Sequence, residues 1–411
     1  MTSAIKSYFQ SQPANIVFFD VSKFLFICTL PLWRSINTIF LWVLIAGWVF
    51  VSPVTSKLNE LNRNKLNLGV MLLLFLVFVY GVLLDLPQNT NNFDVLTKEL
   101  PVLIFPIVIF SLEKHFFSIK QTLLFLLVGV IAGIIISYIG IILNIFDRDR
   151  SLYVEQANYF FEWIYTGWNL VKQLDIHPGY FAVMLVVALS GLLFESSFKA
   201  MRNKRISFIL LTALLIFFLI QTGSRIAIIS LVIIVVIKAT SSNSLKRISL
   251  TGSILIITTI ILAQFEYVKL KFDLMFQGGE RIGRWKAILN QIIEKGSFLK
   301  GVGEERAFQL YQDAYSSGGF EIALNQKYNA HNQFLEFWIT SGLIGVLVYM
   351  FVLFYFIQKT RFSGVAGYFI ITTIFLSFVE SFFDRSKAII YFSFMFCLLI
   401  HQYQEKSDAS K

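Results

Sequence analysis

Apolar residues recur along this chain in unbroken blocks, without the alternation of a half-buried strand or the one-sided stripe of a soluble helix. The blocks fall at roughly 15–33, 36–52, 67–86, 100–112, 121–146, 178–195, 206–222, 226–240, 248–265, 331–357, 364–382 and 388–403. Most are close to the ~20 residues that a helix needs to cross a bilayer. The pattern therefore predicts an all-α polytopic membrane protein with about twelve transmembrane helices, forming one domain over residues 1–411. The fourth block is short and carries Pro101 and Pro106, which predicts a kinked or incomplete crossing.

Between the blocks, cations alternate. Lys57, Arg63 and Lys65, then Lys114 and Lys120, then Lys199 to Arg205, then Lys238, Lys246 and Arg247, then Lys359 and Arg361 mark one side. Positive loops stay in the cytoplasm, so this side is read as cytoplasmic, and Lys6, Lys406 and Lys411 place both termini there. The other side holds fewer cations and the one large extramembrane piece, 266–330. In that piece Trp285, Ile288, Leu289, Ile292 and Ile293 recur every three or four residues, predicting an amphipathic helix over 284–294 that Gly296 ends. A second helix is expected over 304–315, after the turn Gly301-Val302-Gly303.

Composition adds limits. Of the residues, 56% are hydrophobic and the formal charge is +10, but these cations sit in short loops, which is topology and not a nucleic-acid footprint. The 2 cysteines, Cys28 and Cys397, lie inside apolar blocks and offer neither a disulfide framework nor a metal site. The first apolar block lacks a cleavage site and reads as a retained span.

The polar residues that remain gather on the outer side. Arg225 opens the eighth span after Thr222-Gly223-Ser224, where free helix amides favour an anion. Arg281 and Arg284, three apart, share a helix face and suit a diphosphate, because each guanidinium fork holds two oxygens. His331 and Asn332 open the tenth span at the same level, with Gly342 and Gly345 below to admit a close neighbour. A histidine there is matched to take a proton near neutral pH. Glu336 is a carboxylate within the span and needs a partner. His177-Pro178 marks the start of the sixth span, read first as a proline-marked helix start. Glu380 and Asp384 are acids at the outer end of the eleventh. Asp147-Arg148-Asp149 is a weak metal motif, and no zinc-type cluster or phosphate-binding loop is present.

Taken in order, Thr222-Gly223-Ser224-Arg225, Gly283-Arg284-Trp285, Gly301-Val302-Gly303 and His331-Asn332 followed by Gly342-Leu343-Ile344-Gly345 resemble the signature of the bacterial O-antigen ligase and polymerase superfamily. The resemblance covers about 177–387; the first half matches only as a set of spans. It implies a C-type (GT-C) architecture and an inverting, metal-independent glycosyltransferase without cofactor, facing the periplasm of the inner membrane. The donor would be a glycan on undecaprenyl diphosphate, and a ligase would use lipid A-core as acceptor. Arg225 and Arg284 would hold the diphosphate and His331 would act as general base. Arg281, Asn332 and His177 would contact substrate, with either Glu380 or Asp384 as the acid nearby.

Within the superfamily, polymerases often carry an arginine with a glycine eleven positions later in two large outer loops. None of Arg148, Arg150, Arg281, Arg284 or Arg306 has that glycine, which favours a ligase. A protein O-glycosylating enzyme shares the motifs. A transporter of lipid-linked sugars would need cavity arginines but not His331, and should show symmetric halves.

Overall fold

The structure, a computed structural model, describes residues 11–85, 93–147, 165–241 and 279–403. The predicted ninth span at 248–265 and the start of the outer segment lie outside these residues. Among the described residues all regular structure is helical. In chain order the principal helices are α1 (Ala14–Thr29), α2 (Arg34–Val51), α3 (Lys65–Asp85), α4 (Phe93–Phe110), α5 (Ile119–Asp147), α6 (Pro178–Phe194) and α7 (Arg205–Gln221). They continue as α8 (Arg225–Thr240), α9 (Gly279–Glu294), α10 (Glu304–Ser317), α11 (Gln333–Thr360), α12 (Gly364–Ser377) and α13 (Ser386–Tyr403).

Helices stand at the other eleven predicted span positions. Four stretches are long and apolar enough to cross a membrane: Arg34–Val51, Lys65–Asp85, Lys114–Leu143 and Gln333–Thr360. The number rises to six if each bent pair, Gly167–Leu174 with α6 (82°) and Ser196–Asn203 with α7 (114°), is one span. Length makes the difference for several of the others. Helices of 16, 16 and 14 residues, α1, α8 and α12, reach only about 21–24 Å against a hydrocarbon core of ~30 Å. The chain is a membrane protein in which shorter helices pack together with the long ones.

Two helices form the axis. Every residue from Gly179 to Leu192 of α6 is buried, and α6 packs on α5, α8 and α12. Residues Lys387 to His401 of α13 are likewise buried, against α4, α11 and α12. A helix apolar all round belongs in the centre of a bundle. Lys387 fits there because its ammonium caps α1, donating to the carbonyls of Thr29, Leu30 and Leu32. That satisfies orphan acceptors at a helix end which water does not reach. Pro101 and Pro106 both lie inside α4, which runs unbroken for 18 residues and starts earlier than the sequence pattern predicts.

The outer segment folds as expected in its helices and differently in its turn. Ile288 and Ile292 of α9, Ala307, Leu310, Tyr311, Ala314 and Tyr315 of α10, and Leu335 and Ile339 of α11 make a second core. Gly342 breaks α11 with φ 70 and ψ −167. The turn 298–303 fills the break: Val302 N–H donates to Ile339 O (2.7 Å), Gly303 N–H to Thr340 O (3.0 Å), and Leu343 N–H to Phe298 O (3.0 Å). A Cβ on Gly342 would come within 2.2 Å of Leu299 O. Gly342 therefore admits a loop backbone and not the helix the spacing predicts, whereas a Cβ on Gly345 would crowd Ser341 Cβ (2.8 Å) and the Phe337 carbonyl (3.0 Å) of α11 itself, with Val77 of α3 at ordinary contact distance (3.4 Å).

Candidate active site

His331 is fixed by its backbone before its ring. Asn332 is the N-cap of α11, its side-chain oxygen accepting from Phe334 N–H (3.0 Å) and Leu335 N–H (3.2 Å), as a short polar residue does before an apolar run. The residue before this cap takes a left-handed conformation, His331 φ 46, which costs a non-glycine residue ~1–3 kcal/mol. Three contacts hold it there. His331 N–H donates to Asn329 Oδ1 (3.1 Å), its ring stands edge-on to Tyr328 (5.1 Å), and Nδ1 meets Glu380 Oε2 at 3.3 Å. An ionised carboxylate only accepts, so Nδ1 is the donor in this pair, and in the neutral ring Nε2 keeps the lone pair.

Glu380 sits just beyond α12, with 19% of its side chain exposed. Burial pushes its carboxyl up, yet the hydrogen bond to His331 and the neighbouring His177, His331 and Arg281 outweigh it and hold the group below the usual glutamate range. The choice left open by the sequence resolves geometrically. Glu380 touches His331; Asp384 accepts instead from Lys98 Nζ (3.1 Å) and Asn329 Nδ2 (2.9 Å). Asn329 thus joins Asp384 to the His331 backbone.

The cations come from helix starts. Arg284, in the first turns of α9, lies with its guanidinium carbon 5.3 Å from the centre of the Tyr328 ring, and its buried Nε–H finds no protein acceptor. Trp285 Nε1 donates to Ala330 O (2.9 Å), which ties α9 to the residue before His331. Arg281 is half-buried; burial lowers its pKa, Glu380 opposes this, and Arg284 and Arg225 add to the lowering. Glu380 and the guanidinium groups of Arg284 and Arg225 thus all lie within electrostatic reach of Arg281. Arg225 begins α8 after Gly223, whose φ of +64 turns the chain sharply out of α7. Beside it, His177 caps α6 by accepting from Gly179 N–H (3.2 Å), and a Cβ on Gly179 would lie 4.0 Å from Ser224 Oγ.

The structure therefore brings His177, Arg225, Arg281, Arg284, His331 and Glu380 into one charged cluster, assembled from the starts of α6, α8, α9 and α11 and the end of α12. Asn332 serves as a cap, and Asp384 as a link behind the cluster. Glu336 finds its partner in Tyr311, whose hydroxyl donates at 2.7 Å. Sequence reasoning missed Tyr328 and Asn329, although both stand within three residues of His331, and it did not single out Lys98. Among the described residues no three His, Cys, Asp or Glu side chains form a metal-holding group. The pair at Asp147 and Asp149 lies outside the residues whose side chains are described.

Residues 210–350 match the O-antigen ligase family. Over this stretch the chain is similar to that family. The matched stretch contains Arg225, Arg281, Arg284, His331 and Asn332, and the match supports the superfamily whose motifs the sequence resembles. O-antigen ligase family members are glycosyltransferase-like enzymes, and lipid-linked glycans are the substrate class the family suggests. Among curated proteins, no match to the chain was found.

Proposed function

We propose that the protein is an O-antigen ligase, moving a glycan from undecaprenyl diphosphate to lipid A-core on the periplasmic face of the bacterial inner membrane. The observation that carries this reading is the pairing of His331 with Glu380 opposite Arg225, Arg281 and Arg284 within the cluster built around the stretch similar to the O-antigen ligase family. One group is fitted to take a proton, and the others are fitted to receive a leaving diphosphate.

The acceptor hydroxyl gives its proton to His331 Nε2 while its oxygen bonds to the anomeric carbon. The bond from that carbon to the diphosphate oxygen breaks, its electron pair stays on the diphosphate, and configuration inverts. Glu380, ionised because of its neighbours, stabilises the imidazolium that forms. The guanidinium groups stabilise charge growing on the leaving phosphate, and the unpaired Nε–H of Arg284 gives that phosphate a donor. Nothing in this sequence of steps calls on a metal or cofactor.

Purified protein in lipid should glycosylate lipid A-core when given undecaprenyl-diphosphate glycan without added nucleotide or divalent metal. Products limited to lengthened lipid-linked glycan would make the protein a polymerase. Absence of any covalent product with every acceptor offered would point to transport.

A further inference from the structure

The end of the bundle away from His331 carries a cavity of about 310 Å³ that glycosyl transfer does not use. The distance follows from α6, which begins beside His177 in the charged cluster and runs 17 residues to Phe194, or about 25 Å. Directly after it the chain forms Ser196–Asn203, which meets α7 at 114°. With α7 along the membrane normal, that segment runs closer to the membrane plane than to the normal. Arg202 locks the turn, donating to the carbonyls of Leu192 (3.1 Å) and Glu195 (2.7 Å).

The cavity is a groove between this segment and the start of α5. Lys120 and Leu124, one turn apart, form one wall; Ser197, Phe198, Met201 and Lys204 contribute to the other. Its floor is apolar and its rim carries two exposed ammonium groups, neither paired with a described carboxylate. Leu124 is also the first member of an exposed stripe on α5 that continues through Val128, Ile135, Ile139 and Ile142. Spacings of three, four and seven put these residues on one helix face. A groove with cations at its mouth, opening onto an apolar track along a membrane-crossing helix, has the two halves of a phospholipid's chemistry in the right order.

We propose that this groove binds an anionic phospholipid of the leaflet opposite the candidate active site, its phosphate between Lys120 and Lys204 and one acyl chain along the α5 stripe. The site stands on its own geometry and is independent of which acceptor the enzyme uses. Zwitterionic phosphatidylethanolamine has the same chains and phosphate but no net charge, so discrimination against it tests the role of the lysines.

The test is native mass spectrometry of the full-length protein after exchange into phosphatidylglycerol or phosphatidylethanolamine, with thermal unfolding read in parallel. Wild type should retain phosphatidylglycerol preferentially and unfold at a higher temperature with it. In the Lys120→Gln/Lys204→Gln variant the apparent affinity should fall on the order of thirtyfold, with glycosyl transfer unchanged. In wild type, raising salt from about 0.05 M to about 0.5 M should reduce retention of phosphatidylglycerol only. This second arm does not depend on the variant folding. Equal retention of the two lipids, retention indifferent to salt, or a folded variant that binds like wild type would overturn the proposal. So would inorganic phosphate or glycerol phosphate stabilising the protein as much as the lipid, since that would make the groove a site for free anions.

Discussion

The protein has two buried cores, and they are built from different material. The bundle core is built of aliphatic residues and phenylalanine: Phe26, Phe105 and Phe394 meet at ring separations of 5.2–5.6 Å, and Phe392 of α13 meets Phe369 of α12 at 6.0 Å. The outer core of α9, α10 and α11 uses small residues, Ala307, Ala314 and Ala323, around Tyr311 and Tyr315. Those two phenols reach out of it, Tyr311 to Glu336 and Tyr315 to the carbonyl of Asn329 (2.8 Å). Phenylalanine packing offers area and edge-to-face contacts but no directional bond to a neighbour. Tyrosine offers both. The bundle brings the helix starts to one level, and the outer core aims the side chains presented there.

That division of labour can be broken at four places, taken from the largest expected effect downward. His331→Ala removes the proton acceptor and should lower glycosyl transfer by ~10³-fold, with the protein still inserted and its thermal unfolding little changed. Activity near wild type would remove His331 from the chemistry. Gly342→Ala tests the seam between the two cores. The new Cβ meets the Leu299 carbonyl at a backbone φ of +70, so a loss of ~3 kcal/mol or more is expected in thermal or denaturant unfolding. Gly69→Ala in α3, where nothing lies within 4 Å, should be neutral or stabilising by ~0.5 kcal/mol. Similar effects at the two glycines would show that the seam is not tight.

Asn329→Ala should cut kcat about tenfold while leaving donor KM unchanged, because it frees the His331 backbone without touching the arginines. A change in KM alone would place Asn329 on substrate instead. The smallest effect is a pH profile. Burial, opposed by Lys98 and reinforced by nearby carboxylates, lifts the Glu304 carboxyl to about 8. Between the ordinary carboxylate range and about 8, the folded protein keeps a proton that the unfolded chain has lost, so stability should fall as pH rises through that window. Glu304→Gln should flatten this slope in unfolding temperatures measured across it. A slope that survives the substitution would assign the titration elsewhere.

The apolar blocks revealed the helices, since burial in lipid needs only length and composition. They did not reveal which helices are full crossings, because length and composition do not show a break such as the 114° bend between Ser196–Asn203 and α7. His331, Arg225, Arg281 and Arg284 were legible as polar residues on the outer side of a greasy chain. The pairing of Glu380 with His331, with Asp384 behind it, was not, because the two acids are four apart and share the same level. The role of Gly342 was also hidden. A glycine at helix-packing spacing looks the same in sequence whether a helix or a loop backbone approaches it.

The contact between His331 and Glu380 spans 49 positions of chain. A ribosome adding ~5–20 residues per second takes several seconds to cover that stretch. During synthesis the histidine therefore leaves the ribosome well before the carboxylate that orients it, while the helices bearing the arginines have already been made. On the proposed function, the nascent chain passes through a stage in which the cations for a lipid-linked donor are present but the carboxylate that orients His331 is not, and the site is complete only with the last two helices.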